Sequence, residues 1–320
     1  MPDVYTSTST VPNLVTAAYD RYMRLALRSM PQFRAFADTR AVDQTHPGSS
    51  VIFTLYSDLA DATSSINEIT DPEIVQIPDP SRVTVTLGEY GNYTVLTKRL
   101  EAFSLDAAVD TNAANMIAYN MASSVDKIVQ AVIAGTTQVV TEEGGSLVST
   151  SNAVNSITAS DTAKARDFRY AVTKLRSGNI VPNRGELYAA VVHPSVAHDL
   201  RIETGSTGWR APHEYVDPVN IYAGEIGTFE GALFVETPRC TTATNSGSVK
   251  YYNSYVMGQE ALAEAVASEF GVVVGGSITD PLNRKMALGW TGIAGWSLFR
   301  TAANSGTGAA YKIQTAATVN

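Results

Sequence analysis

His193 and Ser195 are the residue types of a base and a nucleophile, and His193, His198 and Asp199 are the one cluster of metal-ligand types in the chain. A five-residue histidine separation puts the two rings on different faces of a helix, so a shared ion would require distortion. Satisfied or exposed histidines are the simpler reading, and a small hydrolase using His193 and Ser195 is the enzymatic alternative. Glu142 with Glu143, and Asp58 with Asp61, are paired carboxylates in polar loops, where solvation explains them better than acid–base work. Cys240 is the only cysteine, which excludes an internal disulfide and an all-cysteine metal site, and it reads as a small packed residue. Gly289, Gly292 and Gly295 are spaced wrongly for a phosphate loop. The chain has no Gly-x-Ser-x-Gly elbow, phosphate-binding Gly-Lys-Ser/Thr loop, His-Glu-x-x-His pair or Gly-x-Gly-x-x-Gly turn. No catalytic residue, cofactor or metal ligand is expected, and the protein reads as a non-enzyme.

The scaffold that carries these residues is 320 residues long, 44% hydrophobic and 17% charged, which suits one elaborate domain or two and excludes disorder, collagen and coiled coil. The best candidate for a membrane span, 261–274, is short and interrupted by Glu264, Ser268 and Glu269, so no transmembrane helix is expected. The start, MPDVYTSTST, lacks the basic and apolar stretches of a secretory signal, which predicts a chain made and kept in a cytoplasm. A net charge of -8 argues against a sequence-reading nucleic-acid protein.

Leu14, Ala18, Tyr22, Leu25 and Met30 recur at helical spacing and predict an amphipathic helix over 11–36, ended near Pro31, with Arg21, Arg24 and Arg28 on another face. Those arginines could grip phosphate, but a solvated or subunit-facing helix side is the preferred reading. Alternation predicts strands at 51–56, 82–87 and 93–97, with a turn at 88–92 and a long polar excursion at 58–80. Val109, Ala113, Met116, Ile117, Met121, Val125, Ile128 and Val132 predict one long helix over 104–134, capped by Ser104 and ended by Gly135. A small hairpin follows at 143–146, then a helix opening at Ser160 and Asp161 and closing at a left-handed Gly178. The apolar run 186–192 predicts a buried strand, turned by His193-Pro194-Ser195 into a helix over 196–202. Beyond a Gly- and Pro-rich loop at 203–223 the pattern predicts strands at 224–236 and 249–257, a short helix at 258–265 and strands at 281–299.

In this order the pieces resemble the major capsid protein of tailed bacteriophages: a basic N-terminal arm, a β excursion, a long helix, a strand-His193-Pro194-Ser195-helix corner, then Gly224-Glu-Ile-Gly-Thr-Phe-Glu-Gly231 and a tryptophan-containing return. The resemblance covers nearly the whole chain and implies an α+β fold of five parts. These are an N-terminal arm (1–44), an extended β-hairpin loop (45–97) and a peripheral domain with a spine helix (98–160), followed by an axial domain (161–267) and a C-terminal return to the peripheral domain (268–320). It implies a homo-oligomer of hexamers and pentamers forming an icosahedral shell around phage double-stranded DNA, located in the virion and assembled in the host cytoplasm. It also implies a portal, minor capsid or decoration proteins, and only non-specific proximity to DNA, with no membrane partner. An encapsulin-like compartment subunit of the same fold is the alternative. Some relatives weld the shell with an isopeptide bond from a lysine on the extended loop, and no lysine stands between Ala41 and Thr97. Fewer than fifteen polar residues precede the first expected helix, which points to a separate scaffolding protein.

Charge is unevenly distributed along the sequence. Residues 46–97 carry seven acids and one base, whereas residues 1–45 carry five arginines and four acids. The expected partners of the acidic loop are basic groups on a neighbour, such as Arg24, Arg28, Arg34, Arg284 or Lys285, each contact contributing about 0.2–1 kcal/mol.

Overall fold

The computed structural model describes residues 31–41, 49–59, 61–63, 65, 68–69, 74–103, 109–149, 154–183, 185–203, 225–229, 231–274, 282 and 284–319. Residues 11–30 of the helix expected over 11–36, the Ser104 cap and residues 204–223 of the expected 203–223 loop lie outside them. Residues Phe33–Phe36 form a single 3-10 turn, and the chain then extends as β1 (Ala37–Ala41), a strand with no clear period in the sequence.

Among the described residues the strands form two sheets and one hairpin. β1, β4 (Gly88–Thr97), β12 (Leu262–Val274) and β13 (Lys285–Leu298) form a four-stranded sheet in the order β1-β12-β13-β4. β2 (Ser50–Leu55) and β3 (Ser81–Thr86) pair with each other as an antiparallel hairpin. The other strands are β5 (Val139–Glu143), β6 (Ser146–Val148), β7 (Tyr188–Val192), β8 (Glu225–Phe229), β9 (Ala232–Glu236), β10 (Thr242–Thr244), β11 (Lys250–Met257) and β14 (Ala310–Thr315). They form an eight-stranded sheet in the order β6-β5-β14-β11-β7-β9-β8, with β10 on β11.

The helices are α1 (Lys98–Phe103), α2 (Val109–Ala134), α3 (Ala165–Ser177), α4 (Pro194–Ile202) and α5 (Ala302–Ser305). At 26 residues α2 is about 39 Å long. Its buried face is Ile117, Val125, Val129 and Ile133, one step round from the expected Ile128 and Val132, which are half-buried. β7, α4 and β9 form the expected strand-helix-strand crossover with parallel strands. The main core joins Phe33, α2, α3 and the large sheet, with Tyr188, Tyr252, Tyr255, Phe168 and Phe234 among its fully buried side chains.

Several expectations are corrected. The helix expected at 258–265 is the start of β12. Leu262 and Val266 enter the main core while Ala263 and Ala265 pack against the hairpin root, so both faces are covered and strand alternation is hidden behind helix-favouring Ala, Glu and Leu. The turn expected at 88–92 is continuous strand: a Cβ on Gly91 would meet the Trp290 carbonyl at 2.8 Å, so this glycine permits close strand approach. The helix expected from Ser160 starts at Ala165. Gly178 has φ -89°, and the left-handed residue is Asn179 at φ 54°; Gly178 is required because any side chain there would overlap Thr307.

Each sheet draws strands from more than one of the five expected parts. β14, expected in the C-terminal return, is an inner strand of the large sheet beside β5 and β11, whereas β12, which straddles the expected boundary at 267, belongs to the small sheet. β5 and β6, within 98–160, also join the large sheet.

Candidate assembly surfaces

The hairpin of β2 and β3 is rooted by a small apolar cluster. Phe53, Val83 and Val85 pack on Ala263, Ala265 and Phe299, and the Phe53 and Phe299 rings meet edge-on at 5.8 Å. The Ser81 hydroxyl donates to the Asn304 carbonyl at 3.2 Å, and the Leu87 amide donates to the Ser49 carbonyl at 2.9 Å. Beyond this root most of the described residues are exposed. Ile69 and Ile74 are each 93% exposed, and Tyr56, Leu59, Val75 and Ile77 are exposed with them. Asp58, Asp61, Glu68 and Asp79 are exposed on the same segment. Exposed isoleucines interspersed with acids thus line the described part of this segment. A second apolar surface lies on the small sheet, where Tyr93, Val95, Val272, Val273 and Val274 are exposed.

Buried ion pairs fix the body that carries these surfaces. Asp126 on α2 accepts the Phe33 amide at 2.7 Å and the Arg239 Nε at 2.8 Å; the Arg239 guanidinium also donates to the Ser123 carbonyl at 2.9 Å. The Gln130 amide donates to the Arg239 carbonyl. Three segments distant in sequence are thereby tied at one point. Glu264, fully buried on β12, accepts from Arg34 Nε at 2.8 Å and from the Thr39 hydroxyl at 2.6 Å. Arg34 also lies over the Phe270 ring and 3.8 Å from Glu269. Arg34 is thus committed within its own chain, which corrects its expected role as a receiver for a neighbour's acidic loop. Arg24 and Arg28 lie outside the described residues.

Glu142 is another correction. It is fully buried on β5, not solvated in a loop, and accepts from Arg166 Nη2 at 2.6 and 2.8 Å. Asp167, fully buried beside it, has its pKa raised to about 8, first by loss of water and then by the hydrogen bond and charge of Glu142. Sequence spacing gave no sign of this pair, because 24 residues separate Glu142 from Arg166. Asp161 accepts the Gly145 amide at 2.9 Å and the Thr158 amide at 2.8 Å, closing the expected small hairpin, where Gly144 and Gly145 have φ 56° and 78°.

The His193 and Ser195 pair is a helix cap. His193 Nδ1 accepts the Ser195 backbone amide at 3.1 Å, and its ring meets the Tyr252 ring at a 42° tilt with centroids 4.6 Å apart. Burial, and then the Lys250 charge, lower the imidazole pKa. Asp199 is buried and accepts the Thr318 amide at 2.9 Å, while His198 Nδ1 stands 3.5 Å from its other oxygen. These residues join α4 to the large sheet and to the segment that follows β14. Cys240 is buried, and burial pushes its thiol pKa up, away from thiolate chemistry. Gly289, Gly292 and Gly295 all lie in β13, where side chains would overlap Tyr93, Phe270 and Thr86 respectively, so the glycine run is a packing device. Among the described residues no helix is long and apolar enough to cross a membrane.

The fold is that of known phage capsids. The capsid of Ralstonia phage GP4 superposes with a TM-score of 0.72 at 12% identity, over 95% of this chain and 96% of that one. The head of Helicobacter pylori bacteriophage KHP40 gives 0.71 at 12% identity, over 98% and 99%. The capsid of cyanophage Pam1 gives 0.67 at 15% identity, over the whole of both chains. No curated protein matches the sequence. The family model described as "phage capsid protein" matches residues 37–319, from the strand that Glu264 anchors to the end of the described chain, and the protein belongs to that family.

Proposed function

We propose that the protein is the major capsid subunit of its phage, assembling as hexamers and pentamers into an icosahedral shell that encloses double-stranded DNA. In this reading the small sheet with α2 is the peripheral domain and the large sheet is the axial domain. The 45–97 segment is the arm that lies over a neighbouring copy. A separate scaffolding protein, a portal, and minor capsid or decoration proteins complete the particle. The observation that carries the reading is the exposed segment beyond the Phe53–Phe299 root. It spends long, apolar chain on no core of its own, which is stable in water only if an adjoining copy covers it. The family match and the phage heads among similar structures support a genome container over an enzyme-holding compartment.

Expression of the chain followed by sedimentation and negative-stain microscopy tests this reading. Closed particles from wild type, reduced to soluble small species when 57–79 is replaced by a short Gly-Ser turn, are the expected result. Particles of normal yield from the shortened chain would contradict the role of the arm.

A further inference from the structure

We infer that the start of α3 is a proton-held latch: one proton retained in the buried pair of Glu142 and Asp167 keeps the β5–β6 hairpin and the end of α4 fastened there, and its loss to water unfastens them. Three pieces of chain meet at this point. Arg166 donates from Nε at 3.0 Å and from Nη2 at 2.6 and 2.8 Å to Glu142 on β5, and from Nη2 at 2.5 Å to the Gly145 carbonyl at the hairpin tip. Glu203, just past α4, accepts the amide of Ala165, the first residue of α3, at 2.7 Å. Asp161 accepts the Gly145 amide at 2.9 Å, and Asp167 Oδ2 accepts the Lys164 amide at 2.9 Å. Gly144, Gly145 and Ser146 are exposed, so the latch governs surface that the subunit presents.

The guanidinium beside Asp167 is already committed. Glu142 and Asp167 are both fully buried, Arg166 directs its fork to Glu142, and Lys164 Nζ leans to the same carboxylate at 3.9 Å. Arg166 Nε stands 3.7 Å from Asp167 Oδ1, a buried oxygen that receives no donor. Of the other charged groups around the site, Glu203 and Asp161 are acids, Lys312 is turned to the Ala134 carbonyl at the end of α2, and Lys250 lies over the Tyr252 ring. A helix N-terminus ordinarily keeps an acid in its first turn ionised. Here burial outweighs that field and the neighbouring carboxylate adds to burial, so the Asp167 pKa is raised to about 8. With one guanidinium between them, the two carboxyl groups are stable side by side while one holds a proton. Ionisation sets Asp167 against Glu142 in a site without water, and opening relieves both the repulsion and the lost hydration. The open form binds the proton less tightly than the closed one, so opening grows as pH rises.

Amide hydrogen exchange of the full-length, unassembled subunit tests the latch between pH 5 and pH 9.5, each rate being corrected for the pH dependence of a free peptide. Protection of peptides covering 143–148 and 163–168 should fall by up to about tenfold per pH unit from pH 5 and level off near pH 8, while peptides from 121–133 of α2 keep theirs. In Asp167→Asn the fall should be absent. Glu142→Gln removes the competing charge and lets Asp167 take Arg166, so there the fall should level off at a lower pH. Protection in wild type that does not change with pH, or the same fall in Asp167→Asn, would overturn the inference. An equal fall in the α2 peptides would overturn it too, since that is general unfolding and not the opening of a latch. Should Asp167→Asn not fold, Glu142→Gln decides alone: a levelling-off displaced below pH 8 supports the shared proton, and one at an unchanged pH overturns it.

Discussion

The carbonyl oxygen of Thr86, at the end of the hairpin, occupies the space where a side chain on Gly295 of β13 would begin. The Val85 side chain lies against the same point. The hairpin therefore sits on the small sheet by backbone contact, with a glycine as its seat. Gly295→Ala must push the hairpin off that seat, because Thr86 contributes main chain there and cannot rotate away. The expected cost is about 1–3 kcal/mol in urea unfolding of the subunit, together with a loss of particles larger than a comparable destabilisation elsewhere produces. Equal particle yields for Gly295→Ala and wild type would show that the hairpin angle is not critical.

Asp167 gives the subunit a pH dependence of definite sign. Its folded pKa is raised to about 8 from the ordinary 3.8, so the folded protein holds a proton that the unfolded chain gives up. This contribution to stability is complete below pH 4 or so and is lost progressively as pH rises toward about 8. Asp167→Asn cannot lose the proton, and its carbonyl can still accept the Lys164 amide that Asp167 takes at 2.9 Å. Melting temperatures between pH 5 and pH 9 should therefore fall less steeply in Asp167→Asn than in wild type. Parallel curves would place the titration elsewhere.

Arg239 and Asp126 form a buried pair that joins α2, the Phe33 turn and the chain after β9. Arg239→Met leaves the Asp126 carboxylate without its cation and should cost about 3–5 kcal/mol. Adding Asp126→Asn removes the orphaned charge and should restore part of that loss, as measured by urea denaturation of both variants. A double variant no more stable than the single one would mean that the charge is not what destabilises Arg239→Met.

The long helix, the small hairpin at 143–146 and the strand-His193-Pro194-Ser195-helix corner were legible because each signal is local: an apolar stripe, paired glycines, a proline at a helix start. β12 was not, since a strand covered on both faces loses its alternation. The glycines of β4 and β13 looked like turn or loop signals, because close strand approach and tight turning use the same residue. The ion pairs of Glu142, Glu264 and Asp126 join residues 24 to 230 positions apart, and nothing local marks them. The surface was more legible than the core, because the acidic, isoleucine-bearing excursion stands out in sequence for the reason that it stands out in space: it has no interior of its own.

The central claim is that copies of this chain close into a shell with each 45–97 segment lying on a neighbour. Cryo-electron microscopy of particles from the expressed full-length chain tests it most directly. The account predicts closed shells with five-fold and six-fold units in which residues 56–80 cross onto an adjoining copy. A protein that remains monomeric under assembly conditions, or shells in which that segment folds back on its own subunit, would contradict it.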